Sequence, residues 1–135
     1  MRRAIGITAV TVIALAVSGC GLFGEDVPPT PGSFSACLSA TGYSSSTDPD
    51  DVDPIARAAG VGAVWAEIGT NQVIVVFERS DDDARRTEEA YDSSAGGTAD
   101  GEQADTVTRD GSVVLHWESP PSAADATVVD DCLVP

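Results

Sequence analysis

The sequence predicts an α+β domain: a four-stranded antiparallel sheet made of two β-hairpins, with short helices packed on one face, in the order α-α-β-β-α-β-β-α. Three observations predict it. Apolar, β-branched runs come in two pairs, over 61–78 and 106–117, each pair divided by a short turn containing glycine. Segments with apolar residues three and four apart stand before, between and after these pairs, opened by Ser, Asp or Pro. Two cysteines, Cys37 and Cys132, bracket the whole pattern.

The chain has a leader in front of this domain. Arg2 and Arg3 precede an apolar stretch over 4–17, and Ser18 and Gly19 precede Cys20. That is the plan of a bacterial secretion signal, and the stretch is shorter than the ~20 apolar residues that cross a bilayer as a helix. Val17-Ser18-Gly19-Cys20 resembles the lipobox of bacterial lipoproteins, in which cleavage leaves the cysteine as first residue, carrying a diacylglyceryl group. The resemblance implies a membrane anchor at Cys20. The plain alternative is ordinary signal cleavage beside a free thiol. Each buried methylene contributes about 0.8 kcal/mol, and two acyl chains hold a protein stably where one does not. The reading is therefore a signal peptide over 1–19, a lipidated cysteine with a proline-rich tether over 20–32, and one domain over 33–135. The export route, general secretion or twin-arginine, stays open.

Removal of 19 residues from 135 leaves 116, enough for one domain. The seven basic residues are all Arg; two leave with the leader, so five face 22 acids and the formal charge becomes −17. Such a surface repels phosphate backbones, which excludes nucleic acid as a partner. The odd cysteine is Cys20; Cys37 and Cys132 are left as a pair, and in an oxidising compartment a pair reads as a disulfide. Pro28, Pro29 and Pro31 favour extended geometry at ~3.1 Å per residue and read as a spacer.

Within the domain, Phe34, Cys37, Leu38 and Thr41 repeat at helical spacing, and Gly42 stands where a helix stop is needed. A polar loop over 44–53 follows. Asp53-Pro54 reads as an N-cap with a first-turn proline, opening a short second helix that ends at Gly60. Residues 61–68 and 72–78 form the first hairpin around Gly69-Thr70-Asn71. Ser80 and Asp83 make a capping box for a third helix, with Asp81–Arg85, Asp82–Arg86 and Arg85–Glu89 one turn apart and Ala84, Thr87, Ala90 and Tyr91 facing inward.

The second hairpin centres on Asp110-Gly111. That turn pairs Arg109 with Ser112, Val107 with Val114 and Asp105 with His116, and it puts Val113, Leu115 and Trp117 on the core side. Ser122 with Asp125 opens the last helix, whose face carries Ala126, Val129, Cys132 and Leu133, so a Cys37–Cys132 bridge would clamp the first helix to the last.

Cys37-Leu38 to Gly42-Tyr43, the block from Thr70-Asn71 through Phe77 and Ser80 to Ala84, and the late block from Val107 to Trp117 with Cys132-Leu133 together resemble a group of small actinobacterial exported proteins. The first hairpin departs from that group in having Gly69-Thr70-Asn71 where a tight Gly-Asn turn is usual. The resemblance implies a fold and brings no activity with it.

Chemistry is sparse. One His, no Lys and no G-x-S-x-G elbow leave few nucleophile–base arrangements, so no catalytic residue is assigned. No cofactor is implied. Asp48, Asp50, Asp51 and Asp53 crowd oxygen ligands into one loop, but Val52 and Asp53 break the EF-hand spacing, and the loop reads as solvated rather than as a calcium site. Asp105 across from His116 forms a candidate pH-sensitive pair. The leading functional reading is a non-enzymatic, lipid-anchored envelope domain that binds a protein or small ligand through its sheet. A small hydrolase or metal-dependent enzyme using His116 or carboxylates, and a structural envelope spacer, are the alternatives.

Overall fold

The computed structural model describes residues 27–94 and 106–134. Its elements are α1 (Pro31–Ala40), β1 (Ser44–Ser46), a 3-10 turn (Pro49–Asp51), α2 (Pro54–Arg57), β2 (Gly62–Ile68), β3 (Asn71–Phe77), α3 (Asp81–Ser94), β4 (Val107–Asp110), β5 (Val113–Trp117) and α4 (Ala123–Leu133). The fold is α+β with an antiparallel sheet, as expected, but the sheet has five strands, in the order β1-β2-β3-β5-β4. The added strand is β1, a run of three serines with no apolar alternation. Helix α1 delivers it to the sheet edge: Gly42, at φ +90°, reverses the chain, and Tyr43 N–H donates to the Leu38 carbonyl at 2.9 Å. Ser35 and Ser45 then share a hydroxyl hydrogen bond of 2.8 Å that fastens the strand to the helix.

The helices pack on both faces of the sheet, not on one. On the first face, Phe34 and Leu38 of α1 and Val129 and Cys132 of α4 bury Val64, Ala66, Ile68, Val73, Val75, Phe77, Val113, Leu115 and Trp117. On the second, Ala56 of α2 and Ala84 and Tyr91 of α3 cover Ala63, Val76, Val107 and Val114. The strands are apolar at consecutive positions because both of their faces are covered. Each large apolar side chain so buried contributes about 1.5–3 kcal/mol.

Both hairpins close on two residues with glycine first. Ile68 pairs with Asn71 around Gly69-Thr70, and Asp110 pairs with Val113 around Gly111-Ser112. Gly69 and Gly111 have φ +63° and +54°, and no residue other than glycine has positive φ among the described residues. An Asp110-Gly111 turn of the primed type needs positive φ at both central positions. Asp110 keeps a negative φ and the turn moves on by one residue. Arg109 therefore faces Val114, and Val107 faces His116. Partners shift by two positions, so the faces are conserved and Val113, Leu115 and Trp117 lie on the core side.

Smaller departures share this local character. Helix α1 starts at Pro31, inside the segment read as tether, because Thr30 and Ser33 form a reciprocal capping box. Helix α2 ends at Arg57, before Gly60. On α3, Arg85 bonds Glu89 at 2.8 Å, while Arg85–Asp82 and Arg86–Asp83 form at three-residue spacing in place of the expected Asp81–Arg85 and Asp82–Arg86. Cys37 and Cys132 form a disulfide that joins α1 to α4 across a Cα–Cα distance of 5.6 Å.

Candidate functional site

Three elements meet on the second sheet face through the side chain of Asp53. The residue caps α2, its Oδ1 accepting from Ala56 N–H at 2.9 Å. Its Oδ2 accepts the phenolic hydrogen of Tyr91, from α3, at 2.9 Å. The same oxygen stands 3.6 Å from Nδ1 of His116, on β5. Nδ1 is buried and has no hydrogen-bond partner among the described residues. The Tyr91 and His116 rings lie against each other, with centroids 4.2 Å apart and planes inclined by 38°. Burial pushes the Tyr91 phenol far above its ordinary range, and the charge of Asp53 and the hydrogen bond to it act in the same direction.

Two clefts open on either side of this cluster, and Asp53 and His116 line both. One, of about 350 Å³, runs toward Pro54, Ile55 and Ser94. The other, of about 300 Å³, runs along the strands to Trp65, Gln72 and Glu118. Register explains the second cleft. Trp65 pairs with Ile74, and Ile74 with His116, so the three form one row across the sheet. Glu67 pairs with Gln72, whose carbonyl accepts from Glu118 N–H at 2.9 Å, making a polar row beside it. Helices α2 and α3 cover the other end of this face, so Trp65, Ile74 and His116 are half-buried while Glu67, Gln72 and Glu118 are exposed.

Among the described residues, the carboxylate beside His116 is Asp53. Val107 occupies the position opposite His116 on β4, and Asp105 lies outside the described residues, as do Cys20 and the segment over 1–19 read as a leader. Arg109, expected opposite Ser112, faces Val114 and pairs with Glu88 of α3 at 2.9 Å. Cys37 and Cys132 sit on the other face of the sheet. Sequence reasoning found the histidine and missed both of its partners. The only signals for them were an N-cap and an inward position on an amphipathic helix, and each has an ordinary local explanation.

No protein-family model, no curated protein and no solved structure matches this chain.

The four acidic candidates for a cation are dispersed. Asp48 caps the 3-10 turn, accepting from Asp50 N–H at 2.9 Å; Asp50 lies 3.8 Å from Arg57; Asp51 accepts from the Ser46 hydroxyl. Asp53 turns inward to Tyr91. Among the described residues no three His, Cys, Asp or Glu side chains gather as a metal site. Among the same residues no helix is long and apolar enough to cross a membrane.

Proposed function

We propose that this chain is a lipid-anchored protein of the cell envelope, held on the extracytoplasmic face of the membrane through Cys20, and that its domain binds a ligand or envelope partner without catalysing a reaction. The observation that carries the binding half is the pair of clefts converging on Asp53 and His116, one of them running along the strands to Trp65, Gln72 and Glu118. A rigid floor of paired strands with polar groups around an apolar strip is the usual make-up of a binding surface. The anchor rests on Val17-Ser18-Gly19-Cys20 behind an apolar leader. The −17 formal charge supports a domain that stands off anionic headgroups.

Two measurements test the reading. The amino-terminal peptide of native protein should carry a diacylglyceryl-modified Cys20, and Cys20→Ser should release the protein from the membrane fraction; an unacylated Cys20 ends the anchoring half. A photoreactive residue at position 72, in the cleft, should give a discrete crosslinked product in intact cells that the same residue at exposed position 130 does not. Failure to do so counts against the binding half.

One observation favours a second reading. Asp53 Oδ2 stands 3.6 Å from His116 Nδ1, and a carboxylate next to a histidine is a component of general-base sites once a hydrogen bond forms between them. Hydrolysis of an ester or glycoside panel that disappears in His116→Gln would support an enzyme instead.

A further inference from the structure

The cleft along Trp65, Ile74 and Glu118 has a chemical character that names its ligand class. Its floor is Trp65 with Ile74, both half-buried. Around that floor stand three carboxylates: Asp53 at one end, Glu118 at the other, and Glu67 in the polar row beside Trp65. Glu67 and Glu118 make no side-chain hydrogen bond or ion pair among the described residues, and both are exposed. No Arg lines the cleft, and the sequence contains no Lys. The five arginines after the leader are engaged elsewhere: Arg57 near Asp50, Arg79 with the Gly60 carbonyl, Arg85 and Arg86 along α3, and Arg109 with Glu88.

From this we propose that the cleft lined by Asp53, Trp65, His116 and Glu118 binds a small organic cation, an alkylammonium group carried on an apolar body. The proposal rests on the binding reading above and specifies its ligand. An ammonium group over the indole face is attracted by the ring quadrupole, and carboxylates at both ends add Coulomb attraction in a partly screened site. The apolar body lies along Ile74. Gln72 holds the indole by accepting from Trp65 Nε1 at 3.4 Å, so the aromatic floor is oriented before a ligand arrives. An anionic ligand is repelled by the same three carboxylates. A neutral polyol gains nothing from them that water does not already supply.

The test uses the full domain with its disulfide intact and follows the Trp65 indole and His116 ring resonances by NMR. Choline and n-butylamine are titrated, with butyrate and glucose as anionic and neutral controls. Both amines should shift the two resonances saturably, and neither control should. Trp65→Leu should weaken amine binding by about two- to five-fold, the loss of an exposed cation–π contact. Glu118→Gln, at an exposed site that leaves the fold alone, should weaken it by about two- to five-fold and flatten its salt dependence. Glucose binding in place of the amines overturns the cation assignment while leaving a ligand site standing. Amine binding that is unchanged in both variants overturns it as non-specific attraction to an acidic surface. A lysine-containing peptide that binds ten-fold tighter than butylamine overturns it in favour of a protein partner. Silence from every probe overturns it too, and the photocrosslinking at position 72 then tests the binding reading by itself.

Discussion

Tyr91 donates its phenolic hydrogen to Asp53 Oδ2 at 2.9 Å across 38 residues of chain, tying α3 to the cap of α2 and packing its ring on His116. The tyrosine is 3% exposed, so the bond forms where water competes poorly. One carboxylate thereby holds two helices against the second face of the sheet.

Removing that hydroxyl should be costly. Tyr91→Phe keeps the ring and loses a hydrogen bond to a charged acceptor, a change of about 1.5–3 kcal/mol. Asp53→Ala should cost about 1 kcal/mol more, because the α2 cap goes with it. Urea unfolding measures both. A midpoint for Tyr91→Phe equal to that of the wild type would show that the bond contributes nothing.

Alkaline pH should destabilise the domain through the same residue. The folded state holds the Tyr91 proton more tightly than the unfolded chain does, whose phenol titrates near ~10. Below that pH the contribution is fully present. Above it the unfolded chain has released a proton that the folded chain keeps, so stability falls as pH rises. Thermal melts from pH 8 to 11 should show a downward slope that Tyr91→Phe makes shallower, and equal slopes would exclude Tyr91 as its source.

The disulfide closes a loop with a sequence separation of 95, and joins the first helix to the last. Replacing both Cys37 and Cys132 by Ser should lower stability by about 4 to 5 kcal/mol on the entropic account. Reducing agent should act on the wild type to the same extent and on the double variant not at all. The bridge lies on the sheet face away from Asp53 and His116, so where the reduced domain stays folded the His116 resonances should keep their positions.

The turn assignment gives a sharp contrast between neighbours. Gly111→Ala forces an alanine to φ +54°, where its Cβ meets only Asp81 Oδ1 at 3.8 Å, so the cost is that of the backbone, about 1–2 kcal/mol. Asp110→Ala, at the last paired position of β4, should change stability by less than about 0.5 kcal/mol. The reverse ranking would restore Asp110-Gly111 as the turn.

Much of the fold was legible because its signals are local. The capping box of Ser122 with Asp125 and the inward face of Ala84 and Tyr91 each depend on residues a few positions apart. The two-sided sheet was written in the chain as well, in the unbroken apolar run from Val73 to Phe77, which a half-solvated strand does not need. Treating the sheet as one-sided overlooked that run. Ser44–Ser46 was a different case: three serines carry no strand signal, and the segment pairs with β2 because α1 and Gly42 deliver it there.

By itself, the sequence determined the class of fold, the two hairpins, the inward cysteines and the acidic, lysine-free surface, since caps, turns, periodicity and charge are properties of neighbours along a chain. Only the tertiary structure decided that Asp53, Tyr91 and His116 meet, that Val107 rather than an acid faces the histidine, and that Trp65 and Glu118 line a cleft with Asp53 and His116. Those contacts depend on how far each helix reaches over the sheet, and no local pattern encodes that.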